Sequence, residues 1–202
     1  MNTNKIILVC WPSWSGKNTM IKKLIDQYPK KFKQAISIKS RKSSRPWEIE
    51  WVSYIYQTPE YIISEYNKWN LVEYAEFAWN YYATSYASIH DNINDYNLLK
   101  EIEPKWLMQF MESDLFDITK IIFMDVDDDL MRIRIINRDT NITQSDIQKR
   151  RESAKRERNF VDEYIYNGKL NDNNFVKIDG NLTVDKQYVE FVKAIKKLVD
   201  VK

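Results

Sequence analysis

The apolar run Ile6-Ile7-Leu8-Val9 leads directly into Cys10-Trp11-Pro12-Ser13-Trp14-Ser15-Gly16-Lys17-Asn18-Thr19, and this junction constrains the fold more than any other stretch of the chain. The pattern G-x-x-x-x-G-K-[ST] after a strand makes a turn whose backbone N–H groups point inward at phosphate. A lysine and a helix N-terminus add positive charge. Gly16 and Lys17 hold the closing places of that pattern. Trp11 occupies its first glycine position, and Trp14 stands at another place where the backbone must approach an anion closely, which a side chain obstructs. The expected phosphate contacts are Trp11, Pro12, Ser13, Trp14, Ser15, Gly16, Lys17, Asn18 and Thr19.

The same substitution recurs along the chain, which carries 3 Gly and 7 Trp in 202 residues, where glycine ordinarily makes up about 7%. Trp47 follows Arg45-Pro46 where a turn asks for glycine. Trp51, Trp69 and Trp79 lie among polar or turn residues between periodic segments, and Trp106 follows Pro104-Lys105 before a strand-like run. Buried tryptophan normally lies on the apolar face of a regular element, yet all seven are read here at turn-like places. A reading frame in which UGA specifies glycine, translated with UGA as tryptophan, would give this pattern. UGG codons at the seven positions would exclude it.

A length of 202 residues with 44% hydrophobic content suffices for one domain with a real core. Formal charge is +2, from 31 basic and 29 acidic side chains, so no global field points to nucleic acid or to an anionic membrane. The one cysteine, Cys10, excludes an intrachain disulfide and a multi-cysteine metal site. No cationic-then-apolar leader opens the chain and no apolar stretch is long enough to span a bilayer, so the expected location is cytoplasmic.

Met20, Ile21, Leu24 and Ile25 recur at helical spacing after the loop, and Pro29 ends that helix. Ala35 to Ile38 and Val52 to Tyr56 read as strands, Thr58 caps a helix through Glu65, and Leu71 to Phe77 alternates as a strand. Ser85 to Ile102 reads as helix, and Leu107 to Met111 and Ile121 to Met124 as two apolar strands. Asp127-Asp128-Asp129 opens a helix through Asn137, on the turn that the macrodipole favours for acids. Ser145-Asp146-Ile147-Gln148 resembles a capping box at the head of a very basic helix reaching Tyr166. Phe175 to Ile178 is a last strand, and Thr183 to Val199 a last helix with Val189, Val192, Ile195 and Leu198 as its buried stripe. This alternation predicts an α/β fold, a parallel sheet wrapped by helices with the loop at the carboxyl end of the first strand.

Residues 45–84 carry Arg45-Pro46-Trp47-Glu48, then Trp51-Val52-Ser53-Tyr54, then Leu71-Val72-Glu73-Tyr74-Ala75-Glu76-Phe77-Ala78-Trp79-Asn80-Tyr81-Tyr82-Ala83-Thr84. With glycine read for tryptophan, these segments resemble, in order and spacing, the R-P-G-E, G-x-x-Y and F-I-E-x-A…G-N-x-Y-G-[ST] motifs of the guanylate kinase family, whose members phosphorylate GMP from ATP. Six of the seven tryptophans fall on family glycine positions, and Trp106 is read as a seventh. The resemblance implies a P-loop nucleoside monophosphate kinase fold: core 1–36, 86–137 and 151–202, an inserted GMP-binding lobe at about 37–85, and a lid at about 138–150. It implies that Arg45, Tyr54 and Tyr82 hold the GMP phosphate, with either Arg41 or Lys42 as a further cation, while Glu73 and Thr84 read guanine. The chemistry agrees, because a carboxylate accepts from N1–H and N2–H of guanine, whereas adenine presents an acceptor at N1. An unsatisfied buried group costs on the order of 1–3 kcal/mol or more.

Arg134-Ile135-Ile136-Asn137-Arg138-Asp139-Thr140, followed by Lys149-Arg150-Arg151, is similar to the family's R-x-x-x-R-G-T and downstream K-R. By that likeness Arg134, Arg138 and Arg150, with Lys17, clamp ATP phosphates, and transfer needs positioning and charge rather than a covalent nucleophile. Mg²⁺ is the implied cofactor. Asn18 stands where Ser or Thr commonly meets it and Thr19 follows one place later, so both are candidate metal contacts. The family's acidic strand end is placed near Gln109 to Glu112, with Glu112 as its carboxylate. The implied partners are ATP and GMP or dGMP, with no nucleic acid and no membrane, in a monomer or homodimer. Two rival readings follow from the residues: a non-catalytic interaction module if Trp11 and Trp14 are real, and a monophosphate kinase of different base preference.

Overall fold

The computed structural model describes residues 3–10, 17–41, 54–77, 80–138 and 142–200. Strand β1 (Ile6–Cys10) is followed by helix α1 (Lys17–Gln27), then by β2 (Phe32–Gln34) and β3 (Ser37–Lys39). Next come β4 (Tyr54–Tyr56), α2 (Pro59–Asn67), β5 (Leu71–Phe77) and β6 (Asn80–Ser85). α3 (Tyr86–Ile93), β7 (Asn97–Ile102) and α4 (Pro104–Glu112) lead through a short 3-10 turn to β8 (Thr119–Asp125). α5 (Asp128–Arg138), the long α6 (Gln144–Tyr166), β9 (Phe175–Asp179) and α7 (Val184–Leu198) complete the order.

Five strands form a parallel sheet in the order β2-β7-β1-β8-β9. β1 lies at its centre, and every residue of it is fully buried because both faces are covered. Ile6, Leu8 and Cys10 pack with Leu98, Leu107, Phe110 and Phe123 on one side. Ile7 and Val9 pack with Met20, Leu24, Phe191 and Ile195 on the other. Burial on both faces accounts for an unbroken apolar run in place of alternation. A second sheet, ordered β4-β3-β6-β5, mixes one parallel pair with two antiparallel ones and lies beside the carboxyl half of β7.

Four readings of the sequence are corrected. Ser85 to Ile102 is not one helix: Ser85 caps the short α3, accepting from the Ser88 N–H, and residues 97–102 form β7. Asn97 and Lys100 interrupt the apolar run there and disguise a strand buried along nearly its whole length. Leu107 to Met111 is helical, inside α4, where Leu107 and Phe110 take buried places three residues apart; a five-residue apolar run does not reveal its period. In α7 the buried residues are Gln187, Phe191, Ala194, Ile195 and Leu198, with Val192 partly covered and Val189 52% exposed. The cap of α6 also shifts, since Thr143 accepts from the Asp146 N–H in place of Ser145.

Trp69 behaves as a glycine position would. It has φ 62°, alone with a positive φ among the described non-glycine residues, and is 85% exposed. Its N–H donates to Tyr66 O, and the Asn70 N–H to Glu65 O, closing α2 in the Schellman arrangement whose left-handed residue is usually glycine. Trp106 departs from the expectation that every indole marks a turn. It lies within α4, partly buried, with its ring stacked 6.4 Å from that of Tyr82. Trp11, Trp14, Trp47, Trp51 and Trp79 lie outside the described residues.

Candidate functional site

β1 ends at the buried Cys10, and α1 begins at Lys17, so the strand and the helix N-terminus that flank the expected phosphate loop are both in place. Trp11, Pro12, Ser13, Trp14, Ser15 and Gly16 lie outside the described residues, as do the side chains of Lys17 and Asn18. Thr19 is exposed on the first turn of α1. That turn carries no acidic residue, so the positive end of the helix dipole is not offset locally.

The second sheet brings together several of the residues expected to bind the acceptor. Glu73 on β5 pairs across the sheet with Thr84 on β6, just after a register shift between Leu71 and Glu73. Glu73 is 2% exposed. Thr84 Oγ1 donates to Glu73 Oε1 at 2.7 Å, and Lys100 Nζ stands 3.7 Å from the same oxygen. Glu73 Oε2 is buried with no hydrogen-bond partner among the described residues. Burial pushes the Glu73 carboxyl above its ordinary range, opposed by the Lys100 charge and the Thr84 hydroxyl. Tyr54 donates to Glu101 Oε1 at 3.1 Å, and Lys39 Nζ lies 3.7 Å from the centre of the Tyr54 ring and 4.7 Å from that of Tyr56. Tyr82 is partly buried on β6, and Arg41 is partly buried just beyond β3. Lys42 and Arg45 lie outside the described residues.

Gln109 to Glu112, read as an acidic strand end, is the last turn of α4, and Glu112 is exposed there. This puts it about 12 Å along the helix from Pro104. The carboxylates at the end of β7 are Glu101, within the strand, and Glu103, which follows it as the N-cap of α4. The helical reading of Ser85 to Ile102 hides both, since it leaves no strand end there for a carboxylate to follow. The same reading hides Lys100.

On the opposite side of the sheet's carboxyl end, α5 carries Arg134, partly buried, and ends at Arg138, whose side chain lies outside the described residues. Burial alone lowers the Arg134 pKa. Arg150 is partly buried on the second turn of α6. Arg158, not anticipated, fixes this helix to the sheet: Nε donates to Asp125 Oδ1 at 2.8 Å, Nη1 to Asp128 Oδ1 at 2.7 Å and Nη2 to the Val126 carbonyl. Lys177 Nζ reaches Asp125 Oδ2 at 2.8 Å. Against the effect of its burial, the Lys177 and Arg158 hydrogen bonds hold the Asp125 carboxyl below its usual range.

Among the described residues no cluster of three or more His, Cys, Asp or Glu could hold a metal by protein ligands alone. Mg²⁺ carried by a triphosphate needs only one or two protein oxygens, and the exposed Thr19 hydroxyl is a donor of that kind, so the residues present fit such an ion. No helix among the described residues is long and apolar enough to cross a membrane.

Comparison with known proteins bears on the whole of this arrangement. The sequence model of the family described as guanylate kinase matches residues 2–183. A guanylate kinase of Desulfitobacterium hafniense (strain Y51) is 30% identical over 166 residues, covering 82% of this chain and 81% of that protein. One from Streptococcus pneumoniae (strain ATCC BAA-255 / R6) is 27% identical over 162 residues, 80% of this chain and 76% of the other. The crystal structure of guanylate kinase from Anaplasma phagocytophilum superposes with a TM-score of 0.66 at 16% identity, covering 97% of this chain and 86% of that one, which shows a shared fold. With its parallel five-stranded sheet wrapped by helices, its separate small sheet and the family match over most of its length, this chain belongs to the guanylate kinase family.

Proposed function

We propose that the protein is an ATP-dependent guanylate kinase that transfers the γ-phosphoryl group of ATP to GMP or dGMP in the cytoplasm. The observation that carries the reading is the buried Glu73–Thr84 pair, whose free Oε2 is an acceptor waiting for a donor. An ionised carboxylate at 2% exposure is costly unless hydrogen-bonded, and guanine supplies N1–H and N2–H side by side. Residues 37–85 form the acceptor lobe, 138–150 the lid, and the remainder the core. Arg45, Tyr54, Tyr82 and Arg41 or Lys42 bind the acceptor phosphate. Lys17 and the backbone N–H groups of residues 11 and 13–19 bind the donor phosphates, and Arg134, Arg138 and Arg150 stabilise the charge that spreads over the phosphoryl group in flight. Mg²⁺, when bound with ATP, supplies further neutralising charge to those phosphates. Closure of lid on lobe excludes water that would otherwise hydrolyse ATP.

The test uses the chain made with glycine at the seven tryptophan positions, assayed for phosphoryl transfer from ATP to GMP, dGMP, AMP and UMP. GMP and dGMP are expected to be turned over, and Glu73→Gln to lower kcat/KM for GMP by about a hundredfold, a loss consistent with a charge-assisted hydrogen bond to the substrate edge. Turnover of AMP without GMP would refute the reading, as would binding of GMP without any transfer.

A further inference from the structure

β7 belongs to the parallel sheet, and Lys100 shares a face of it with Leu98 and Ile102, both buried in the apolar core. Lys100 is itself 4% exposed. From that face its ammonium crosses the seam between the two sheets, donating to Ser37 Oγ on β3 and standing 3.7 Å from Glu73 Oε1 on β5. A buried ion pair of this kind is a poor stabiliser, since well-packed apolar residues commonly do as well or better. Nor is the pair complete. A separation of 3.7 Å exceeds a good hydrogen bond, so among the described residues Ser37 is the one close acceptor for three ammonium hydrogens. Glu73 Oε2 has no donor among the described residues. An unused donor thus stands beside an unused acceptor, both nine-tenths or more buried, in one seam.

We propose that Lys100 is a specificity-determining residue that donates a hydrogen bond to the C6 carbonyl of the acceptor purine, while Glu73 accepts from N1–H on the same edge. The inference rests on the proposed GMP site and extends it by naming a substrate class, the 6-oxopurine nucleoside monophosphates. In these bases a donor at N1 adjoins an acceptor at C6, the complement of carboxylate beside ammonium. Adenine reverses both positions, so its N1 lone pair would face Glu73 and its amino group would face Lys100, and both contacts are repulsive. Thr84, already donating to Glu73 Oε1, holds the carboxylate in place for this reading.

The experiment is a two-by-two cycle of dissociation constants by titration calorimetry on the full chain: wild type and Lys100→Met, each with GMP and with 6-thio-GMP. The thiocarbonyl is a weaker acceptor, but N1–H and N2–H are retained, so any general effect of the substitution acting through Glu73 cancels between the two ligands. Wild type is expected to bind GMP about tenfold more tightly than 6-thio-GMP, and Lys100→Met to abolish that preference, in line with the loss of one charge-assisted hydrogen bond. Equal losses for both ligands would make Lys100 a structural staple and overturn the proposal. If Lys100→Met does not fold by circular dichroism, the same cycle is run with Lys100→Gln, which keeps a neutral donor and should retain part of the preference; an unchanged preference overturns the proposal equally. Tight GMP binding that depends on Glu73 but shows no coupling to Lys100 removes this inference alone, whereas a wild-type chain that binds neither nucleotide removes the acceptor-site reading beneath it.

Discussion

Exchanging tryptophan for glycine or alanine at two positions should give opposite rankings, and the structure fixes the signs. At Trp69 the backbone holds φ 62° and the indole is 85% exposed, so removing the ring forfeits little buried surface. A left-handed conformation costs a residue with a Cβ roughly 1–2 kcal/mol, and glycine is largely spared that cost. Trp69→Gly is therefore expected to be more stable than Trp69→Ala by about 1 kcal/mol, or about 2–4 °C in midpoint for a chain of this size. At Trp106 the order inverts. The residue lies inside α4, partly buried and stacked on Tyr82, so either substitution leaves a cavity, and glycine adds a helix penalty of about 1 kcal/mol relative to alanine. Thermal and urea melts of the four variants, expressed from UGG codons so that all other tryptophans are retained, give both differences directly. Trp69→Gly melting at or below Trp69→Ala would refute the account of the α2 terminus.

Two further outcomes follow from the β8–α5 corner. Arg158→Ala should destabilise the fold by about 2 kcal/mol in urea melts, since it strips hydrogen bonds from two carboxylates. The folded-state pKa of Asp125 is depressed, so its share of stability is present above the ordinary carboxylate pKa and is lost as pH falls through the lower, folded value. The deficit of Arg158→Ala relative to wild type should accordingly shrink in strongly acid solution, and a pH-independent deficit would contradict it. Gly180→Ala should cost about 2 kcal/mol or more, because a Cβ there would press on Val126 and on the Asp125 carbonyl, to which the Gly180 N–H itself donates at 2.6 Å; a neutral effect by calorimetry would contradict this packing.

How much of this was legible in the sequence depended on whether a residue's signal was local. β1 and α1 read correctly because continuous apolarity and a helical period each lie within a few residues. Glu73 and Thr84 are linked in the sequence only by the resemblance, which assigns both to guanine, and it is the hairpin that brings the two side chains into contact. β7 was misread because Asn97 and Lys100 break its apolar run, and both are explained only by distant partners: Asn97 accepts from the Lys5 N–H, and Lys100 meets Ser37 and Glu73. Arg158 had no local mark among the arginines and lysines of α6, because what selects it is Asp125, 33 positions earlier. Leu107 to Met111 was too short to show a period, and Pro104 at the head of α4 was the signal that could have settled it.

The long α6 runs 23 residues as one rod, and Arg158 is where it is bolted to the sheet. Arg150, proposed to grip the donor phosphates, rides about 12 Å up the rod from that bolt, so a tilt of about five degrees carries it about 1 Å, a misplacement that can cost roughly a hundredfold in rate. Angular tolerance at one guanidinium thus governs positional accuracy at another two turns away.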